Sequence, residues 1–158
     1  MIVFIRVFIL FFCVTGLAAC TSTRFVKGTS ANACLLTEPL WVKPPEDSAV
    51  LDTPAYSHYF VNEDSSILAS ASWAVEKEHL LNVSKEWIKV GWFRPVAADL
   101  VLTGQRLDGE SPPLESEIPC CYPTRFQATG LYFPTEGCWE VTARAAESEL
   151  SFVVWIEP

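Results

Sequence analysis

The stretch that decides the fold is "GCWEVTARAAESELSFVVWI", Gly137 to Ile156. Trp139, Val141 and Ala143 alternate with Glu140, Thr142 and Arg144. After the polar reversal "AAESE", Leu150, Phe152, Val154 and Ile156 alternate with a second set that includes Val153 and Trp155. Successive side chains of a strand point to opposite faces, so an apolar period of two marks a half-buried antiparallel strand. Two such runs joined by a short polar break predict a hairpin with one face in a core.

The same pattern extends upstream. "DLVLTGQRL" puts Leu100 and Leu102 on one face and Val101 and Thr103 on the other. "RFQATGLYF" groups Phe126, Ala128 and Tyr132, and "SILASASWAV" groups Ile67, Ala69, Ala71, Trp73 and Val75. The breaks carry turn chemistry, Asp108-Gly109 above all, with "PTEG" before Cys138. A short helix is a second reading for Ala74 to Trp87, where Val75, Leu80, Val83 and Trp87 partly fit a helical stripe. Six to eight short strands at roughly 8–12-residue spacing predict an all-β, immunoglobulin-like antiparallel sandwich over residues 55–158, with one short helix at most.

Upstream of that domain, residues 37–54 hold four prolines. Proline fixes φ and removes a donor, so this segment reads as an extended strap without a regular element, with Trp41 as a plug. Residues 20–36 begin with "CTSTRFVKGTSANA", a small and polar run that reads as a tether. Residues 1–19 place Arg6 before an apolar run from Val7 to Val14. That run is short for a membrane span, which takes about 20 residues, and has the length of a signal-peptide core. "LAAC", Leu17 to Cys20, resembles the lipobox of bacterial lipoproteins. Such a signal is cut before the cysteine, whose thiol receives diacylglycerol; two or three acyl chains at about 0.8 kcal/mol per buried methylene make a stable membrane anchor. Cys20 is thus the expected lipidation site, and the expected location is extracytoplasmic and membrane-anchored. Thr21 follows it, as in lipoproteins directed to the outer membrane of a host with two membranes.

Charge narrows the partners. Acidic residues outnumber basic ones, 19 to 11, for a net charge of −8 and no basic stripe. This repels phosphate backbones, so no nucleic-acid partner is expected.

The cysteines bear on chemistry. Beside Cys20, the expected mature chain holds Cys34, Cys120, Cys121 and Cys138. An even number in an oxidising compartment favours disulfides, and four cysteines allow three pairings. Cys34 with Cys138 would clip the strap to the sheet and leave Cys120-Cys121 as a vicinal pair; Cys120 or Cys121 with Cys138 is the rival. Adjacent cysteines suit structural zinc poorly, which takes pairs spaced by two to four residues. His58 and His79 stand apart from one another, so no metal and no cofactor is expected. Neither Cys120 nor Cys121 has a Cys-His context, and no nucleophile elbow, P-loop or dinucleotide fingerprint occurs. Asp108, Glu110, Glu115 and Glu117 sit in a proline-rich turn and read as solvating charges rather than as an acid/base pair. The expectation is a non-enzyme. Of six tryptophans, Trp139 falls in the core set, whereas Trp92 and Trp155 are the candidate exposed aromatics for stacking on a sugar or a partner.

"GWFRP", "LTGQRLDGESPPL", "TGLYFPTEGCWEVTARA" and "LSFVVWI" together resemble a family of small, uncharacterised bacterial envelope proteins, often lipoproteins, with an R-L-D-G…P-P-L…F-P-T-x-G-C-W-E-V block. The resemblance covers about Gly91 to Pro158. It implies a β-rich, immunoglobulin-like fold with no assigned activity and no catalytic residue. It also implies a bridge between Cys34 and Cys138; "CCYP" is an addition to the family pattern. The function expected is binding or scaffolding in the cell envelope, with a protein or glycan partner. The alternatives are an inhibitor or sensor of a cell-wall hydrolase, and a thiol-based metal or redox carrier using Cys120-Cys121.

Overall fold

The computed structural model describes residues 34–46, 56–75 and 87–158. The elements there are β1 (Leu40–Val42), β2 (Ser57–Val61), β3 (Leu68–Ser70), a helical turn α1 (Ser72–Val75), β4 (Ile88–Phe93), β5 (Leu100–Arg106), β6 (Glu115–Glu117), β7 (Phe126–Tyr132), β8 (Gly137–Ala145) and β9 (Ser148–Ile156). They form two antiparallel sheets, one in the order β1-β2-β3-β4-β7-β6 and one in the order β5-β8-β9. The protein is an all-β sandwich.

The β8–β9 hairpin sets the three-stranded sheet. Its register pairs Trp139 with Val154, Val141 with Phe152 and Ala143 with Leu150, so all six side chains share the inner face. The reversal is tight: Ala145 pairs with Ser148, and Ala146 takes a φ of 50° to close it. Phe152 is the centre of the core. It stacks on Phe60 of the facing sheet, centroids 4.1 Å apart and planes within 6°. Trp73 and Trp92 flank it at 6.5 and 6.2 Å. Phe133 meets Trp139 edge-on. Aromatic pairs add about 0.5–1.5 kcal/mol each to area burial, so this cluster adds to the cohesion of the two layers.

The larger sheet carries buried apolar side chains on both faces. Phe60, Ala69, Val90 and Trp92 join the inter-sheet core, while their neighbours Tyr59, Leu68 and Phe93 form a second cluster with Val42, Val61 and Phe126. Because neighbours on a strand face opposite ways, the second cluster lies on the outer side of the sheet.

Three expectations change, and one lies largely outside the described residues. First, β7 has the opposite phase: Gln127, Thr129 and Leu131 are buried, while Phe126, Ala128 and Tyr132 are half-buried on the outer side. The polar pair is tolerated inside because both side chains are hydrogen-bonded, as described below. Second, Ile67, Ala69, Ala71 and Trp73 do share the core, but the strand ends at Ser70 and Trp73 sits on α1, its indole donating to the Ser70 carbonyl at 2.7 Å. Third, the helix proposed for Ala74 to Trp87 is met only by the end of α1; residues 76–86 lie outside the described residues. Fourth, the proline-rich strap supplies β1, whose Leu40, Trp41 and Val42 pair with Tyr59, His58 and Ser57. The strap also runs beside β9. The Thr37 amide donates to the Val153 carbonyl at 2.9 Å, and the Val153 amide to Thr37 Oγ1 at 2.8 Å. Those bonds occupy backbone groups of an otherwise open edge strand.

Candidate functional site

The disulfides organise the molecule at two places. Cys34 is bonded to Cys138, with Cα atoms 5.7 Å apart and a sequence separation of 104. Both are buried. Cys138 is held by β8, opposite Trp155 in the β8–β9 ladder, so the bridge fastens the start of the strap to the three-stranded sheet. Cys120 is bonded to Cys121, and both are exposed in the loop between β6 and β7. Cys121 adopts a φ of 72° there. The rival bridge from this pair to Cys138 is absent.

The Cys120–Cys121 loop forms one wall of a cavity of about 490 Å³. Its base is Arg94, which follows β4 and is only 2% exposed. Arg94 Nε donates to Gln127 Oε1 at 2.6 Å, Nη1 to the Pro95 carbonyl at 3.0 Å and Nη2 to the Tyr122 carbonyl at 3.1 Å. Gln127 Nε2 in turn donates to the Pro119 carbonyl at 2.8 Å. These bonds explain why β7 turns Gln127 inward: it links the buried guanidinium to the loop. Burial lowers the pKa of Arg94, and the charge of Asp99 across the cavity partly offsets that. Among the described residues Arg94 makes no ion pair. No pattern in the sequence marked Arg94 as buried, since an arginine before a proline reads as a surface turn.

A second depression, about 330 Å³, lies on the other side of the same loop. Trp87, half-exposed, tilts against Tyr132 at 5.6 Å, with Lys89 and Glu117 beside it. Its floor is Gly130, where a Cβ would come within 3.0 Å of the Trp87 ring; the glycine is what lets the indole lie close to the sheet.

The tryptophans chosen from sequence behave differently. Trp92 is fully buried, and its indole donates to Thr129 Oγ1 at 2.9 Å. It is a core residue and not a binding surface, because β4 turns Trp92 toward the facing sheet and Phe93 toward the outer cluster. Trp155 is half-buried and lines an apolar cavity of about 210 Å³ with Leu36, Pro39 and Phe60, under the strap. The more exposed indoles are Trp41 and Trp87. Trp41 sits edge-on to His58 at 4.7 Å.

The carboxylates do not converge. Asp108 Oδ1 accepts from Arg106 Nε at 2.7 Å beside Gly137. Burial alone would raise the Asp108 pKa, but hydrogen bonds from Arg106 and the Cys138 amide, with the Arg106 charge, hold it below the usual range. Glu110, Glu115 and Glu117 are exposed, the last two on β6. Among the described residues no group of three His, Cys, Asp or Glu side chains is placed to hold a metal ion. Within the same residues no helix is long and apolar enough to cross a membrane. Cys20 and His79 lie outside the described residues.

Comparison with protein-family models, with curated proteins and with solved structures gave no match.

Proposed function

We propose that this chain is a lipid-anchored, extracytoplasmic binding domain of the bacterial cell envelope, without catalytic activity. The observation that carries the proposal is that all four cysteines outside the N-terminal segment are disulfide-bonded. Stable disulfides belong to oxidising compartments. The apolar N-terminal run and "LAAC" at Leu17 to Cys20 supply the route there and the anchor. The two-layer antiparallel build supports an immunoglobulin-like reading, in which a rigid sandwich presents loops for recognition. The loop between β6 and β7, with a cavity on each side, is the surface we assign to binding. The test is fractionation of cells expressing the native chain and Cys20→Ala. The native chain should partition with membranes, and the variant should lose that anchoring. Equal membrane retention of both would reject lipid attachment at Cys20.

A second reading, thiol-disulfide redox work by Cys120-Cys121, is favoured by the exposure of that pair at a cavity rim. Alkylation of protein taken directly from the envelope separates the two: blocked thiols support a structural pair, and a reduced fraction supports redox turnover.

A further inference from the structure

We infer that the cavity between Arg94 and the Cys120–Cys121 loop is a binding site for a small amino-carboxylate, of amino-acid to dipeptide size. This deepens the binding role proposed above and rests on it. The volume of about 490 Å³ falls within the range of about 300–1,000 Å³ usual for small-ligand pockets.

Arg94 is the principal reason. A guanidinium has five N–H donors, one on Nε and two on each terminal nitrogen. The bonds to Gln127, Pro95 and Tyr122 use the Nε donor and one on each terminal nitrogen. One donor on Nη1 and one on Nη2 are left over, the number that the two oxygens of a carboxylate take from a fork of donors. The side chain is almost wholly buried and makes no ion pair among the described residues. A buried charge without a counter-ion is costly, and buried charges are ordinarily paired. A ligand carboxylate would supply both the missing charge and acceptors for the two donors.

The rest of the wall selects the remainder of the ligand. Asp99, exposed, lies on the same cavity, and its charge reaches Arg94 without an ion pair forming. It is placed to receive a cationic amino group while the carboxylate sits on Arg94. Leu100, Ile118 and the Cys120–Cys121 bridge give apolar wall between these poles. Two residues with left-handed backbone, Ala97 at φ 56° and Cys121 at φ 72°, flank the cavity. Such conformations cost of order 1–3 kcal/mol each and gather at ligand clamps. The vicinal bridge fixes one of them, which makes that wall rigid.

The test uses the full chain extracted in detergent, with its acylation read by mass on the same sample so that a failure of anchoring is seen apart from a failure of binding. The probes are the dipeptide alanyl-phenylalanine, its C-terminal amide and its N-acetyl derivative, followed by ¹H–¹⁵N NMR of residues 94–100 and 118–123. Deleting the charge on the ligand leaves the protein fold untouched. The free dipeptide should give saturable shifts below about 10 mM. The amide should bind at least about tenfold more weakly, the equivalent of one lost charged contact. Asp99→Asn, an exposed substitution, should weaken the free dipeptide several-fold and leave the N-acetyl form unchanged. No saturable shift with any probe, equal binding of amide and free acid, or an unchanged free-dipeptide affinity in Asp99→Asn overturns the proposal.

Discussion

Removing the Cys34–Cys138 bridge should cost this fold a large share of its stability, and removing the Cys120–Cys121 bridge almost none. The difference comes from loop length. Cross-linking two positions removes closure entropy from the unfolded chain as about −2.1 − 1.5R ln n. With a sequence separation of 104 between the cysteines this is about 16 cal/mol/K, or about 4.7 kcal/mol at 25 °C. Native domains of this size are stable by only about 5–15 kcal/mol, so the loss is a large share of the total. Adjacent cysteines close no loop of consequence, and both residues are exposed. Cys120→Ala with Cys121→Ala should therefore change global stability by less than about 1 kcal/mol. The assay is urea unfolding followed by tryptophan fluorescence, in an unlipidated Cys20→Ala background, for the parent and both double variants. Cys34→Ala with Cys138→Ala should lower the midpoint strongly and steepen the denaturant slope, because the unlinked chain exposes more surface when unfolded. Equal losses for the two double variants, or a loss below about 2 kcal/mol for the long-range pair, would refute the reasoning.

Two further outcomes follow from the core and from the β8 entrance. Phe152→Ala removes the ring that touches Phe60, Trp73 and Trp92, and should cost about 3–5 kcal/mol in a thermal or urea melt; a loss under 1 kcal/mol would place the centre of cohesion elsewhere. Asp108 has its pKa held below the unfolded value of about 3.9, so the stability it contributes is present above that value and is lost as pH falls through the folded pKa. Asp108→Asn should thus flatten the acid limb of the stability curve below about pH 4, read from melting temperature against pH.

The hairpin of β8 and β9 was legible because its polar and apolar residues alternate without exception where it matters: Trp139, Val141 and Ala143 against Glu140, Thr142 and Arg144. β7 was misread for an equally physical reason. Its inward Gln127 and Thr129 are polar but bonded to Arg94 and to Trp92, while its outward Phe126 packs on Phe93 of the second cluster. A sheet buried on both faces gives no clean alternation. Trp92, expected to be exposed, is hidden because β4 turns it toward the facing sheet. The cavity beside Arg94 was illegible because its key group is a buried arginine, and burial of a charge depends on partners distant in sequence: Gln127 lies 33 residues away and Tyr122 lies 28 away. The cysteine count pointed to disulfides and left three pairings open; the family resemblance implied Cys34 with Cys138, and that pair is bonded in the structure.

We propose an envelope domain held by a lipid on Cys20 and by two internal bridges. Intact and peptide mass spectrometry of membrane-extracted protein, alkylated with and without prior reduction, tests it most directly. The account expects a chain beginning at an acylated Cys20, a Cys34–Cys138 cross-linked peptide, and no alkylation at Cys120 or Cys121 before reduction. An unacylated chain that still begins at Met1 and is alkylated at Cys34, Cys120, Cys121 and Cys138 without reduction would contradict it.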